Sequence, residues 1–337
     1  MSPMPSTMPR RSLLKIAGGA AAGGAVLGTS GCGLLGGSES ADSGNGKVEK
    51  ADLRVGALPI NDLAPLHLGV RNGYFEQEGL NVEIVNASDG GAALSATMGG
   101  HYDITYSSYV PFFAVQAKGV KDLKIVSDCA SAAQNTTVIM TAPNSSVRDA
   151  KDLEGKTIAI SGPNTISELL VKATMSAHSV DPNSAEYSPI PFINMPAALE
   201  RGDVDAAILT EPFLTKAARD SSAVPVVDTA TGPLEDLPLT GYGTTAEFVE
   251  QNPKTVAAFQ RAMDRSVAEA RDRAKIEPLL PEFAKIDPET AAIITLLNFN
   301  SRADATRLQR VPRLMKEHGF IDKDVDVASM IVPHPES

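Results

Sequence analysis

The chain has 337 residues and carries 41 acidic against 30 basic side chains, a formal net charge of −11 at pH 7. Nucleic-acid binding needs a basic footprint, so that class of partner is excluded. Its 43% hydrophobic content is that of a soluble globular protein, and the length allows two medium lobes or one large domain.

Read from the N-terminus, the run Arg10-Arg11-Ser12-Leu13-Leu14-Lys15 sets charges directly before an uncharged apolar stretch, Ile16 to Leu27. That stretch is too short and too rich in glycine to read as a membrane-spanning helix. Small residues then lead to Cys32. The whole resembles a Tat-type lipoprotein signal over residues 1–31. The resemblance implies export addressed by Arg10 and Arg11, lipidation of Cys32, and location on the extracytoplasmic face of the cell membrane. With Cys32 lipidated, Cys129 stands alone and reads as a packed core residue; no disulfide and no cysteine metal cluster is expected. Residues 32–50, rich in Gly and Ser, cannot bury enough apolar surface to fold and read as a flexible tether.

Apolar alternation and turn signals set out the elements that follow. Strands are predicted at Leu53–Ala57, Val82–Val85, Asp103–Tyr106 and Leu123–Asp128. Helices separate them at Ala64–Asn72, from Ser88 through Met98, and at Pro111–Lys118. This β-α order predicts a parallel sheet with crossover helices. A second series has strands at Thr137–Thr141, Lys156–Ser161, Tyr187–Pro191 and Val204–Leu209. Its helices start after Thr165 and at Pro196. Thr240–Ala246 reads as extended, and the rest is mostly helical. Phe259, Met263 and Val267 share one helix face, and Ile293, Leu296 and Leu297 another. Two such halves predict two lobes. Extended crossings are expected near Thr136–Met140 and Tyr242–Ala246. Lobe 1 would hold residues 51–137 and 244–337, and lobe 2 residues 138–243.

Five passages in order carry a family resemblance. Gly73-Tyr74-Phe75-Glu76-Gln77-Glu78-Gly79-Leu80-Asn81-Val82, preceded by Pro59 to Gly69, is similar to the opening of NMT1/THI5-like, SsuA-like periplasmic binding proteins. Ala93 to Ile104, Leu153 to Ala159, Ala198 to Ala207 and Glu211-Pro212-Phe213 resemble the family's later motifs. The resemblance implies an α/β chain of the two-lobe periplasmic-binding-protein type II fold with two hinge crossings. It implies a monomeric substrate-binding subunit of an ABC importer that hands a small ligand of the sulfonate, taurine, nitrate or aromatic-acid type to permease subunits. A thiamine-pyrimidine precursor is the alternative ligand, and a ligand-sensing module the alternative role. The enzyme branch of the family depends on a cysteine-rich stretch that this chain lacks. No P-loop, H-E-x-x-H or G-x-S-x-G pattern is present either, so neither catalytic residues nor a cofactor or metal is expected. The chain has no tryptophan, the family's commonest large aromatic platform.

Ligands of open parallel sheets sit beyond the carboxyl ends of the strands. The loops there hold Asp62, Ser88, Gly90, Gly91, Ser107, Ser108, Asn164, Thr165, Asn194 and Glu211, the expected ligand-binding set. Three of these loops open helices, whose unpaired N–H groups and dipoles favour negative charge, so an anionic ligand is expected. Other readings stand beside these. Ser88, Asp89, Ser107 and Thr165 read equally as ordinary N-caps. Asn194 reads as the cap of the Pro196 helix, and Glu211 as a brace between lobes. Asp62 and Glu211 would repel an anion unless paired. Tyr106 and Tyr109 read as either a stacking wall or core, and His67 as packing.

Overall fold

The computed structural model describes residues 47–335. Arg10, Arg11 and Cys32 lie outside the described residues. Strand β1 (Asp52–Ala57) pairs in parallel with β2 (Asn81–Asn86) and β3 (Ile104–Ser108). Helices α1 (Ala64–Arg71), α2 (Tyr74–Gln77) and α3 (Gly90–Met98) make the crossovers. Gly73 divides α1 from α2 at φ +70°, a left-handed angle that glycine adopts without strain. Helix α4 (Tyr109–Lys118) leads to β4 (Leu123–Ser131).

The four expected strands β1 to β4 run in one direction, but parallel pairing holds only among β1 to β3. Between β3 and β4 lies β10 (Pro238–Thr245), antiparallel to both. The strand order of this first sheet is β11-β4-β10-β3-β1-β2, with β11 being Asn298–Phe299. Two glycines let β10 fit there. A Cβ on Gly241 would stand 2.5 Å from the Tyr109 hydroxyl, and one on Gly243 would stand 2.5 Å from the Phe112 ring. Glycine within a strand marks such close approach. Here it lets the aromatic face of α4 rest on the sheet.

The second sheet holds β5 (Thr137–Thr141), β6 (Thr157–Ile160), β7 (Glu186–Pro189), β8 (Ala206–Thr210) and β9 (Val224–Asp228), in the order β7-β6-β8-β5-β9. β6 is parallel to β7 and β8, and β5 is antiparallel to β8 and β9. Sequence reasoning did not find β9. It contains Pro225, which cannot donate to a ladder, and it occupies the edge position where proline is tolerated. Helices α5 (Ile166–Ala177), α6 (Met195–Arg201) and α7 (Phe213–Asp220) accompany this sheet.

The chain passes from the first sheet to the second over residues 132–136 and returns over 229–237. The return thus precedes the expected Tyr242–Ala246, because all of β10 is claimed by the first sheet. After α8 (Ala246–Gln251) comes α9 (Pro253–Ala270), where Phe259, Met263 and Val267 are all buried as their spacing requires. The later helices are α10 (Arg273–Ile276), α11 (Leu280–Ala284), α12 (Pro288–Ile293), α13 (Ala305–Leu308) and α14 (Arg310–Glu317). The helix face expected for Ile293, Leu296 and Leu297 does not form. α12 ends at Ile293, which is exposed, and the chain turns extended to bury Ile294 and Leu297.

β11 and Ile331 pair with β4, so the back of the chain returns to the first sheet. The core there is aromatic. Tyr106, Tyr242 and Phe259 are fully buried and meet edge to face at 6.1 and 5.7 Å. Each such side chain contributes roughly 1.5–3 kcal/mol through burial.

Candidate ligand-binding cleft

The ends of β1, β2, β3 and β10 on one side, and of β5, β6, β7 and β8 on the other, wall a cavity of about 320 Å³. Its lining is mostly apolar, from Leu58, Pro59 and Ile60 of the first wall to Leu170, Phe192 and Phe213 of the second. Both walls lie where the carboxyl ends of parallel strands meet helix starts.

Of the residues singled out from sequence, Asp62, Ser88, Gly90, Gly91, Ser108 and Thr165 line this cavity. The other four do not. Ser107 points behind the wall; it is fully buried, its hydroxyl has no hydrogen-bond partner, and the backbone of Gly90 packs against it. Asn164 and Asn194 are exposed at the surface. Asn164 holds a positive φ of 55°, and its backbone N–H donates to Glu168. Asn194 heads α6 without a side-chain capping bond. Glu211 is buried and accepts from the Thr215 backbone N–H (3.1 Å), the Thr215 hydroxyl (2.8 Å) and the Thr295 backbone N–H (3.1 Å). Burial pushes its carboxyl above the usual range. It therefore ties α7 to the segment after α12.

Asp62 is the centre of the first wall. It sits in the 3-10 turn after β1 and is 3% exposed. Its Oδ2 accepts from the Tyr106 hydroxyl at 2.8 Å and from the Thr240 hydroxyl at 3.1 Å. Its carbonyl accepts from the Cys129 thiol at 3.3 Å, which places Cys129 as a packed core residue. Burial raises the Asp62 carboxyl, and the two hydroxyl donors oppose that rise. Tyr106 itself is pushed well above the ordinary phenol value, burial being the main cause.

The second wall is neutral. Ser161, Thr165 and Ser167 form a hydroxyl cluster. The Ser167 Oγ lies 2.8 Å from both the Ser161 Oγ and the Thr165 Oγ1, and it accepts from the Ser161 N–H at 2.9 Å. The Thr137 hydroxyl donates to the Thr210 hydroxyl at 3.3 Å. Phe192 and Phe213 stack with centroids 6.2 Å apart.

The helix starts offer less to an anion than their sequence suggests. At α3, Asp89 caps its own helix by accepting from the Ala92 N–H at 2.8 Å. At α5, Glu168 takes the Asn164 N–H at 2.8 Å and pairs with Lys172 at 2.6 Å. Each of these dipoles already faces a carboxylate. Ser108 at α4 makes no capping bond and leaves that helix start open.

Sequence reasoning missed Thr137, Phe192, Thr240 and Lys285 as lining residues. Thr137 begins a strand, and its position gave a usable signal. The other three are carried to the cleft by packing. Elsewhere His67 stacks on Phe283 at 4.0 Å, and burial lowers its imidazole to about 4, in keeping with a packing role.

Residues 60–275 match the family described as NMT1/THI5 like. The chain belongs to that family. Within it, this NMT1/THI5-like protein is 26% identical over 244 residues to a putative aliphatic sulfonates-binding protein of Bacillus subtilis, covering 70% of this chain and 69% of that one. It is 21% identical over 241 residues to the bicarbonate transport ATP-binding protein CmpC of Synechocystis sp., covering 67% of this chain and only 36% of CmpC. The alkanesulfonate-binding protein SsuA of Xanthomonas axonopodis pv. citri, solved with MOPS, superposes with a TM-score of 0.73 at 20% identity, over 84% of this chain and 98% of that one. That likeness establishes the mixed α/β periplasmic-binding-protein fold of two sheets with helices.

Proposed function

We propose that this NMT1/THI5-like protein captures a small organic solute outside the cytoplasm and delivers it, unchanged, to the permease subunits of an ABC importer. The observation that carries this reading is the cleft walled by the strand ends of both sheets. The chain crosses between the sheets twice, over residues 132–136 and 229–237, and two crossings form a hinge on which the walls can close over a solute. Arg307 braces this hinge, reaching Asp128 and Ser131 at the end of β4 and Asp236 in the returning crossing. Ile193, 64% exposed at the cleft, is apolar surface that closure would cover. The twin-arginine run and Cys32 support a lipid-tethered form on the cell membrane. The mostly apolar walls favour an organic solute over a bare inorganic ion.

The test is thermal unfolding and calorimetry of the full chain against small sulfonates, carboxylates, amines and pyrimidines, with recovery of the bound compound. At a hundredfold excess over Kd a single-site ligand stabilises by about 2.7 kcal/mol, a rise in Tm of roughly 4 °C for a chain of this size. Recovery of a chemically altered compound, or no rise with any class, would overturn the reading. Labelling of the expressed protein with radioactive palmitate, lost on Cys32→Ala, tests the tether.

A further inference from the structure

Resting on that reading of the cleft, we infer that its solute is an organic cation: a protonated amine or amidinium on a compact apolar body, with the N–H groups facing Asp62. Asp62 lines the cavity and is 3% exposed, and it forms no ion pair among the described residues. A buried carboxylate without a cation is costly, and supplying the partner from a ligand removes that cost. The Tyr106 and Thr240 hydroxyls both donate to Oδ2, and no other side chain among the described residues donates to this carboxyl. They hold the group in one orientation, as a site for charge-assisted hydrogen bonds requires.

Most of the remaining groups agree, the open start of α4 at Ser108 being the exception. Every titratable neighbour that faces Asp62 is held in its neutral form: Tyr106 on β3, Cys129 on β4 and Tyr242 on β10 are each pushed up by burial. The helix starts that would attract an anion at α3 and α5 are closed by Asp89 and Glu168. Lys285 is the basic residue in the lining, and it is exposed. The cavity therefore offers a buried negative site, neutral hydroxyls opposite, and the Phe192–Phe213 pair as an apolar bed. This departs from the anionic ligand that the helix starts suggested from sequence alone.

The experiment is calorimetry of the full chain at pH 8 with size-matched probes at millimolar concentration. Benzylamine, cyclohexylmethylamine and benzamidine are set against benzoate, benzenesulfonate and benzyl alcohol. The cations should bind at least tenfold tighter than the others. That preference should vanish in Asp62→Asn and fall several-fold in Tyr106→Phe, which keeps the carboxyl but frees it. Affinity for the amines should weaken as pH is lowered through the raised Asp62 value, because the cation needs the ionised carboxyl. Tighter binding of benzoate or benzenesulfonate, or an amine affinity unchanged in Asp62→Asn, overturns the inference while leaving the capture function standing. So does tighter binding of benzyl alcohol that strengthens at low pH, which would make Asp62 a protonated donor. No binding of any probe overturns the inference and leaves the capture function to the wider screen above.

Discussion

On the wall belonging to the first sheet, a buried carboxyl is held by two hydroxyls from β3 and β10. On the wall belonging to the second, the polar groups lining the cleft are the hydroxyls of Thr137, Ser161, Thr165, Ser167 and Thr210, and the largest surface is the stacked Phe192 and Phe213. Both walls come from strand ends followed by helix starts, so topology alone does not explain the contrast. The difference lies in what the antiparallel insertion does. β10 enters the first sheet beside β3 and brings Thr240 under Asp62, so that a carboxyl can be both buried and oriented. β5 enters the second sheet beside β8 and brings Thr137 to Thr210, which pairs one hydroxyl with another. On the inference drawn above, charge discrimination would belong to the first wall and shape to the second.

The largest expected effect tests the second wall. Phe213→Ala removes a buried ring from the aromatic bed, and it should destabilise the chain by about 3–5 kcal/mol. Chemical denaturation would measure this. The loss should be the same at pH 5 and pH 8, since no titratable side chain lines that wall; a loss that changes with pH would break the contrast.

A somewhat smaller effect belongs to the first sheet and is one of pH. Asp128 on β4 is buried, receives the Tyr109 hydroxyl at 2.6 Å, and is raised to about 6 chiefly by burial. An unfolded aspartate titrates near 3.9. Between those values the native protein holds the proton more tightly than the unfolded chain. The Asp128 contribution is thus full below about pH 4 and is lost as pH rises toward 6, by about 3 kcal/mol at most. Asp128→Asn should flatten the stability profile across that window. An unchanged slope would remove Asp128 as its source.

Gly90→Ala comes next. Its Cβ would stand 2.6 Å from the Ser107 Oγ, between α3 and β3. Crowding of this kind costs roughly 1–3 kcal/mol. A double substitution with Ser107→Ala should recover most of it, because that hydroxyl has no partner to lose. The smallest effect, about 1 kcal/mol, is expected for Ser167→Ala, which takes the hub from the hydroxyl cluster of the second wall. If it lowered ligand affinity more than Asp62→Asn, the division of labour between the walls would be reversed.

Much of the cleft was legible locally. A strand that ends in Ser-Asp-Gly-Gly before a helical run announces a close-packed helix start, and Ser88, Gly90 and Gly91 do line the cavity. A helix start counts as an anion site only while its own residues leave it open. Asp89 and Glu168 occupy theirs within a few residues along the chain, so the N-cap reading of Asp89 was the stronger one. Asn164, Asn194 and Glu211 look alike in a sequence, as polar residues after strands. Packing separates them, two facing outward and one drawn under α7 by the Thr295 backbone.

The sequence by itself determined the elements and their caps, the α/β alternation, the passages shared with the NMT1/THI5-like family, and the loops from which a site could be made. These depend on periodicity and on hydrogen bonds between near neighbours, which a one-dimensional pattern records. Only the tertiary structure decided that β10 runs antiparallel between β3 and β4. In doing so it joined Asp62 to Tyr106, 44 residues away, and to Thr240, 178 residues away. Such pairings are set by side-chain volume, by the absence of a Cβ at Gly241 and Gly243, and by the burial of a whole strand. They arise from the joint packing of distant segments, and no local stretch encodes them.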